Sequence, residues 1–260
     1  MIALILMACL VEESSVTWSG TLYAQELSEM LPLEQAALTL RSTEGTQLAV
    51  STTPYSDFPA FHSIELNGTI SSAGTIAMEI TAPNVIPMVW STAPPDVSNN
   101  VSWMGGGLFA QSPEFTDALL QSYASLLPHV TPPQPITESV RSGNCALFGQ
   151  FLEPEVWAER LIDIWLEPVA SESTSATSSD TGNDASNRKT VLIFGGNEAG
   201  ELTSSTAERI QYFVAWDLPA DHYRLVVQHN AAAEQIERIE VSYPPCSGQV
   251  LSGYYFALPQ

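Results

Sequence analysis

Short segments with apolar side chains at every second position are the feature that most constrains this fold. In the stretch SVTWSGTLY, residues 15–23, Val16, Trp18, Gly20 and Leu22 share one face. This alternation is typical of a half-buried β-strand. Similar segments, separated by turn-forming residues, occupy positions 37–41, 47–52, 61–66 and 76–80. Short strands at this spacing predict an antiparallel β-sandwich rather than alternating strands and helices.

The second half of the chain repeats the pattern of the first half. FHSIEL at 61–66 and FVAWDL at 213–218 share Phe, two variable residues, a large apolar residue, an acid and Leu. The other matched segments, first half then second, are the Gly20 strand with 147–152, the Leu38 strand with 161–166, and 76–80 with 223–227. Four elements in the same order indicate an internal repeat. Each repeat is as long as a small domain, which indicates tandem domains.

A connector of different character separates the two repeats. Ser112-Pro113-Glu114 predicts a helix start, with an N-cap, a proline at the first helical position and an early acid. Apolar residues then follow at helical spacing. The predicted organisation is an export leader at 1–14, a first sandwich at 15–92, an irregular and helical connector at 93–142, a second sandwich at 143–245 with a flexible loop at 171–188, and a C-terminal strand or tail at 246–260.

One segment, 154–165, fits two structures. Its apolar residues suit a helical face, and Pro154 stands where a helix could begin. The register of the repeat favours a strand from about Leu161 onward. Both alternatives stay open for this segment.

The N-terminus predicts export and a lipid anchor. Residues 1–9 form an apolar run too short to span a bilayer, which needs about 20 residues. The tetrad Leu6-Met7-Ala8-Cys9 resembles a bacterial lipobox, in which the cysteine is acylated. We therefore expect Cys9 to attach the chain to a membrane, since two or more acyl chains anchor stably. The alternatives are a cleaved signal of a soluble exported protein and a buried N-terminal strand.

The two remaining cysteines are consistent with export. If Cys9 carries lipid, Cys145 and Cys246 form an even pair that could close a disulfide in an oxidising compartment. Zinc coordination is the competing interpretation, but the sequence has no C-x-x-C and no nearby histidine pair.

The charge excludes one class of partner. The chain carries 29 acidic residues against 8 lysines and arginines, which gives a net charge of -21. Nucleic-acid binding depends on Lys and Arg neutralising phosphates. We therefore predict no nucleic-acid partner.

The candidate catalytic motifs all have plainer interpretations. Asp217, Asp221 and His222 form the densest titratable cluster, which we interpret as a hairpin loop. Ser247 lies outside a G-x-S-x-G elbow. The glycines of GGNEAG, 195–200, lack the G-K-[ST] of a phosphate loop and are interpreted as a turn. We predict no catalytic residue, no cofactor and no enzymatic activity.

Metal and sugar sites have only weak signals. Asp180, Asp184 and Glu198 offer oxygens for Ca²⁺, but no D-x-D-x-D-G run accompanies them, so no metal is predicted. Four tryptophans could form a sugar-stacking platform, namely Trp90, Trp103, Trp157 and Trp165. In a sandwich, tryptophans more commonly belong to the core.

The second repeat resembles a known family, the carboxypeptidase regulatory-like domain. The resemblance lies in Gly149-Gln-Phe-Leu, in LIDIWL at 161–166 and in YFVAWDLPADHYRLVV at 212–227. The residues that match the family's last motif are Phe213, Leu218, Pro219, Tyr223, Leu225 and Val227. Asp221-His222 stands where the family has Gly before its Tyr, and the first repeat keeps only Phe61, Leu66 and the strand that follows.

This resemblance implies a mainly β fold of two tandem Ig-like or transthyretin-like antiparallel sandwiches with a short helical insertion between them. The family's members are accessory, non-catalytic modules, often on exported bacterial proteins. The predicted function is a non-enzymatic, lipid-anchored binding or structural role at the cell envelope, on an outer-membrane, periplasmic or cell-surface lipoprotein, with envelope proteins or glycans as candidate partners. The alternative is a carbohydrate-binding accessory module of a neighbouring enzyme system.

Overall fold

The structure, a computed structural model, describes residues 15–53, 56–67, 76–92, 101–104, 108–127, 135–169, 187–197, 202–231 and 235–256. The strands are β1 (Ser15–Gln25), β2 (Met30–Pro32), β3 (Ala37–Arg41), β4 (Gln47–Val50), β5 (Phe61–Asn67), β6 (Ile76–Thr81), β7 (Met88–Thr92), β8 (Val101–Met104), β9 (Leu108–Gln111), β10 (Cys145–Phe151), β11 (Leu161–Pro168), β12 (Lys189–Thr190), β13 (Leu192–Gly196), β14 (Leu202–Thr203), β15 (Tyr212–Leu218), β16 (Tyr223–Asn230), β17 (Ile236–Ser242) and β18 (Val250–Phe256). The helices are α1 (Pro113–Leu126), α2 (Ile136–Arg141) and α3 (Pro154–Arg160). The predicted mainly β fold with few helices is confirmed.

Within the described ranges, the strands form three sheets. One is centred on β1, which pairs antiparallel with β5 and β2 and parallel with β8 and β9. A second sheet has nine strands in the order β14-β13-β15-β10-β18-β7-β6-β3-β4. The third has four strands in the order β12-β11-β16-β17.

The nine-stranded sheet contains strands of both repeats. The C-terminal strand β18 joins them, because it pairs in parallel with β10 on one side and with β7 on the other. Val250 lies opposite Met88, and Leu251 lies opposite both Val89 and Leu147. The two sandwich halves therefore share one central sheet.

Each face of this central sheet borders its own hydrophobic core. Successive side chains of a strand point to opposite faces. Met88 and Val250 accordingly pack in the first core, with the β1 sheet and α1, whereas Val89 and Leu251 pack in the second core, with the four-stranded sheet. Residues 88–90 of β7, β10 and residues 250–252 of β18 are thus covered on both sides, which explains their largely apolar sequences.

Helix α1 forms as its sequence predicts. The backbone N–H of Phe115 donates to the Ser112 hydroxyl at 3.1 Å, and Pro113 occupies the first turn. The buried face of the helix packs on the central sheet, where the Tyr123 ring lies 4.4 Å from that of Phe194, centroid to centroid. The helix therefore covers part of the sheet that the β1 sheet leaves open.

Segment 154–165 contains both of the structures that its sequence allowed. Helix α3 starts at Pro154 and ends at Arg160, and β11 begins at Leu161, as the repeat register predicts. The helix buries Trp157 completely, with its ring 4.8 Å from that of Phe151.

Residues 213–227 do not form the hairpin that we expected. Strand β15 belongs to the nine-stranded sheet, whereas β16 belongs to the four-stranded sheet, so the chain crosses between layers. Alternating apolar residues indicate a strand but not its partner. Asp217, with φ of 52°, lies where the pairing of β15 with β10 shifts register. After the strand, the Tyr223 hydroxyl donates to the Pro219 carbonyl at 2.7 Å. This contact resembles the tyrosine corner of other sandwiches, which fixes a crossing between sheets.

We expect Tyr223→Phe to lower the free energy of unfolding by about 0.5–1.5 kcal/mol at neutral pH, because it removes that hydrogen bond. Burial, with a smaller contribution from Asp221, raises the pKa of Tyr223 from 10.0 to about 12. A raised phenol pKa stabilises the fold below the unfolded value and loses that contribution as the pH rises from about 10 to about 12. Urea titrations should therefore show the wild type to be more stable than the variant at pH 7. Above pH 10 the difference between their free energies of unfolding should become smaller. Equal stability of the two proteins at pH 7 would contradict the role of this contact.

Candidate binding site

A pocket opens on the outer face of the β1 sheet, where β1 changes partner. Residues 15–21 of β1 pair with β5, and residues 23–25 pair with β2. Leu22, between them, donates its N–H to the Ala60 carbonyl and accepts the Leu33 N–H at its own carbonyl, both at 2.9 Å. The backbone at this junction is thus satisfied from two directions, and side chains from both β5 and β2 line the pocket.

The floor of the pocket comes from the strands themselves. Thr21 lies opposite Phe61, and Tyr23 lies opposite Pro32. Directly paired residues share a face of the sheet, as do residues i and i+2. All four therefore point outward, while Leu22 between them is fully buried in the first core.

The turn before β5 forms the wall. The Phe61 N–H donates to the Phe58 carbonyl at 2.9 Å, which closes a tight turn through Pro59 and Ala60. This turn holds the Phe58 side chain out in solvent, 67% exposed. The pocket has a volume of about 490 Å³ and is lined by Thr21, Tyr23, Pro32, Glu34, Asp57, Phe58, Pro59, Ala60 and Phe61.

Two exposed carboxylates, Glu34 and Asp57, complete the lining. Residues 15–92 contain seven acids and a single cation, Arg41. That arginine pairs with Glu79, its Nε lying 2.6 Å from the carboxylate. The pocket therefore combines aromatic and proline surfaces with a negative field, which suits an apolar or cationic ligand.

The predicted cysteine pair lies in the second half. Cys145 and Cys246 form a disulfide between the start of β10 and the turn before β18. Cys246 also donates its N–H to the Asp221 carbonyl at 2.9 Å. Cys9, the predicted lipidation site, lies outside the described residues.

The remaining sequence candidates do not converge on a site. Asp217 accepts a hydrogen bond from the Ser139 hydroxyl at 2.6 Å, and Asp221 accepts one from the His222 N–H at 2.7 Å. Within the described part of the chain, no group of three or more His, Cys, Asp or Glu residues could hold a metal ion. Asp180, Asp184, Glu198 and residues 171–186 of the predicted loop at 171–188 lie outside that part.

The first two glycines of GGNEAG are strand residues, not the turn that we expected. Gly195 and Gly196 end β13 and pair with Thr203 and Leu202 of β14. A Cβ on Gly195 would come within 1.8 Å of the Ser205 carbonyl oxygen, so close approach of the chain explains this glycine. Residues 198–200 lie outside the described residues.

Three of the four candidate tryptophans belong to the interior. Trp90, Trp157 and Trp165 are buried. The indole N–H of Trp90 donates to the Phe109 carbonyl at 3.0 Å. The side chain of Trp103 is not among those described. The aromatic rings that line the pocket are instead those of Tyr23, Phe58 and Phe61, none of which the sequence indicated as a binding residue.

Among the described residues, no helix is long and apolar enough to cross a membrane. No family model matches the chain, and no curated protein matches it either. Among solved structures, the Bacillus anthracis TIE protein aligns with 93% of this chain at 10% identity and a TM-score of 0.28. This chain spans 34% of the length of that protein. A proposed adhesin from Bacteroides ovatus aligns with 96% of this chain, and 90% of its own length, at 6% identity and a TM-score of 0.19.

Proposed function

We propose that this chain is an exported, non-enzymatic β-sandwich protein that binds a partner at the cell envelope and is anchored there by lipid on Cys9. The observation that carries the binding role is the pocket beside Phe58. A large aromatic side chain held in solvent by a hydrogen-bonded turn, next to an apolar pocket, is typical of a recognition surface.

The disulfide supports the exported location. Structural disulfides persist in oxidising compartments and are rare in the cytosol of most organisms. The Cys145–Cys246 bond ties the last strand of the central sheet to the start of β10. The apolar segment that ends in Cys9 is the proposed source of both export and anchoring.

We also propose a relationship to carboxypeptidase regulatory-like domains, on the residues of the second repeat. Tyr223 and Pro219, two residues of the shared motif, hold each other at the crossing between sheets. Gly149 and Phe213, two further matching residues, lie directly opposite each other on β10 and β15. These contacts give the motif residues a structural role, which supports an accessory module rather than an enzyme.

The carbohydrate-binding alternative now depends on the same pocket. The described tryptophans that could have formed a platform are buried, so sugar stacking would use Tyr23 and Phe58 instead. A glycan ligand is therefore a second candidate for this pocket.

We expect a Cys9→Ser variant to move from the membrane to the soluble fraction of bacterial cells, because the acyl chains would have no thiol to join. Incorporation of radiolabelled palmitate should be lost at the same time. Ser14→Ala, a change of similar size outside the lipobox, is the matched control and should stay in the membrane fraction. A Cys9→Ser protein that still sediments with membranes would overturn the anchor.

A further inference from the structure

We propose that the pocket binds a peptide segment of a partner protein in which an arginine or lysine lies next to an apolar side chain. This inference rests on the proposed binding function and names the partner class of that same site.

The apolar half of the ligand follows from the lining. Pro32, Pro59 and the rings of Tyr23, Phe58 and Phe61 dominate the pocket surface. Both prolines have a fixed φ, so the pocket loses little conformational freedom when a ligand enters. An aliphatic or aromatic side chain of the partner would exchange water for these surfaces.

The site extends beyond one side chain. Met30 lies two residues from Pro32 on the outer face of β2 and is 48% exposed. Leu27, in the loop of the same hairpin, is also exposed. Apolar surface thus continues from the pocket along β2, which suits an extended peptide better than a single small molecule.

The cationic half of the ligand follows from the carboxylates. Glu34 and Asp57 form no ion pair with any lysine or arginine in the described ranges. A carboxylate accepts hydrogen bonds, whereas Lys and Arg side chains only donate. The two groups therefore match in both charge and hydrogen bonding.

The hydrogen-bonding groups of the pocket are less suited to a glycan. Sugar hydroxyls both donate and accept, so a sugar site normally offers donors as well as acceptors. Among the lining side chains, the only donors are the hydroxyls of Thr21 and Tyr23. An arginine or lysine side chain only donates hydrogen bonds, so no carboxylate of the pocket would face a lone pair of the ligand.

The aromatic rings add a second attraction for a cation. A guanidinium or ammonium group is drawn to the face of an aromatic ring. The second half of this chain already contains such a contact, with the Arg188 Cζ 4.0 Å from the centroid of Trp165. The exposed face of Phe58 offers the same surface to an incoming Arg or Lys.

The test uses the full chain with Cys9→Ser, titrated by NMR and by fluorescence anisotropy with three labelled nonapeptides. Their centres are Arg-Leu-Arg, Glu-Leu-Glu and Arg-Ser-Arg, each flanked by Gly-Ser-Gly. We expect the Arg-Leu-Arg peptide to bind at least about tenfold more tightly than the other two, because only it has both the cation and the apolar group. Its affinity should fall as salt rises, since the charges are exposed.

Two variants locate the binding. Phe58→Ser and Glu34→Gln/Asp57→Asn should each weaken the Arg-Leu-Arg peptide at least about fivefold. Glu114→Gln/Glu159→Gln changes the net charge equally at exposed positions outside the pocket and should leave the affinity unchanged. Urea midpoints equal to the parent's would show that the exposed substitutions leave the fold intact.

Three results would overturn the inference. The first is that Phe58→Ser leaves the response to the Arg-Leu-Arg peptide unchanged, or that this peptide gives no response. The second is that all three peptides bind with equal affinity. The third is that cellohexaose or chitohexaose gives a response that requires Phe58 while the peptide gives none. None of these results affects membrane attachment through Cys9, which the fractionation experiment measures separately. The last would leave a binding protein in place with a glycan as its ligand.

Discussion

Replacing Cys145 and Cys246 together by alanine is expected to lower the free energy of unfolding by about 2–5 kcal/mol. The bond spans a sequence separation of 101 residues, and closing a long loop removes much conformational entropy from the unfolded chain. It also holds the turn before β18 against the start of β10, where the Ala146 N–H donates to the Gln249 carbonyl at 3.1 Å. Both effects disappear with the cysteines. Urea denaturation monitored by tryptophan fluorescence measures the loss.

The control for this prediction is the wild-type disulfide itself. Reducing agent should destabilise the parent protein by a similar amount and leave the double variant unchanged. Because β18 connects the two repeats, the loss should appear in a single unfolding transition. A double variant as stable as the oxidised parent would show that the bond does not stabilise the fold.

Replacing Gly149 by alanine is expected to cost about 1–3 kcal/mol. A Cβ at this position would lie 1.9 Å from the Phe213 ring, directly across from it on β15. Phe213 is fully buried and its ring lies 5.0 Å from that of Phe151, so it cannot move aside without disturbing the second core. The contact therefore requires glycine on β10.

A double-mutant cycle distinguishes this clash from a general loss of β10. Phe213→Leu removes the ring and should by itself cost stability through lost packing. In combination with Gly149→Ala it should cost less than the sum of the two single changes, because the new methyl group then has space. Additive effects would contradict a direct contact between these two positions.

Sequence alone predicted the elements better than their partners. The cap at Ser112, the strand start at Leu161 and the alternation within β1 are local properties. The structure contains the first two, and it shows the alternation over residues 17–23. Strand pairing depends on residues far apart in the chain. FVAWDLPADHYRLVV therefore looked like a hairpin although its two strands lie in different sheets.

The binding pocket had no local signal. It exists because β1 exchanges β5 for β2 at Leu22, and no periodicity in the sequence records where a strand changes partner. The closest sequence indication is Asp57-Phe58-Pro59, an aromatic residue between an acid and a proline just before a predicted strand. Sequence places these residues in a turn, but only the pairing shows that the turn borders an open groove.

The position of β18 sets the order in which this protein can be completed. Its partner β7 ends at Thr92, so residues 93–249 must be synthesised before Val250 reaches Met88. A chain emerges N-terminus first from the ribosome, and an unpaired strand edge is a template for wrong pairing. Until β18 has been synthesised, the β7 edge lacks this partner. A chain cut off before residue 250 would therefore leave the β7 edge unpaired, and a second chain could pair with that edge.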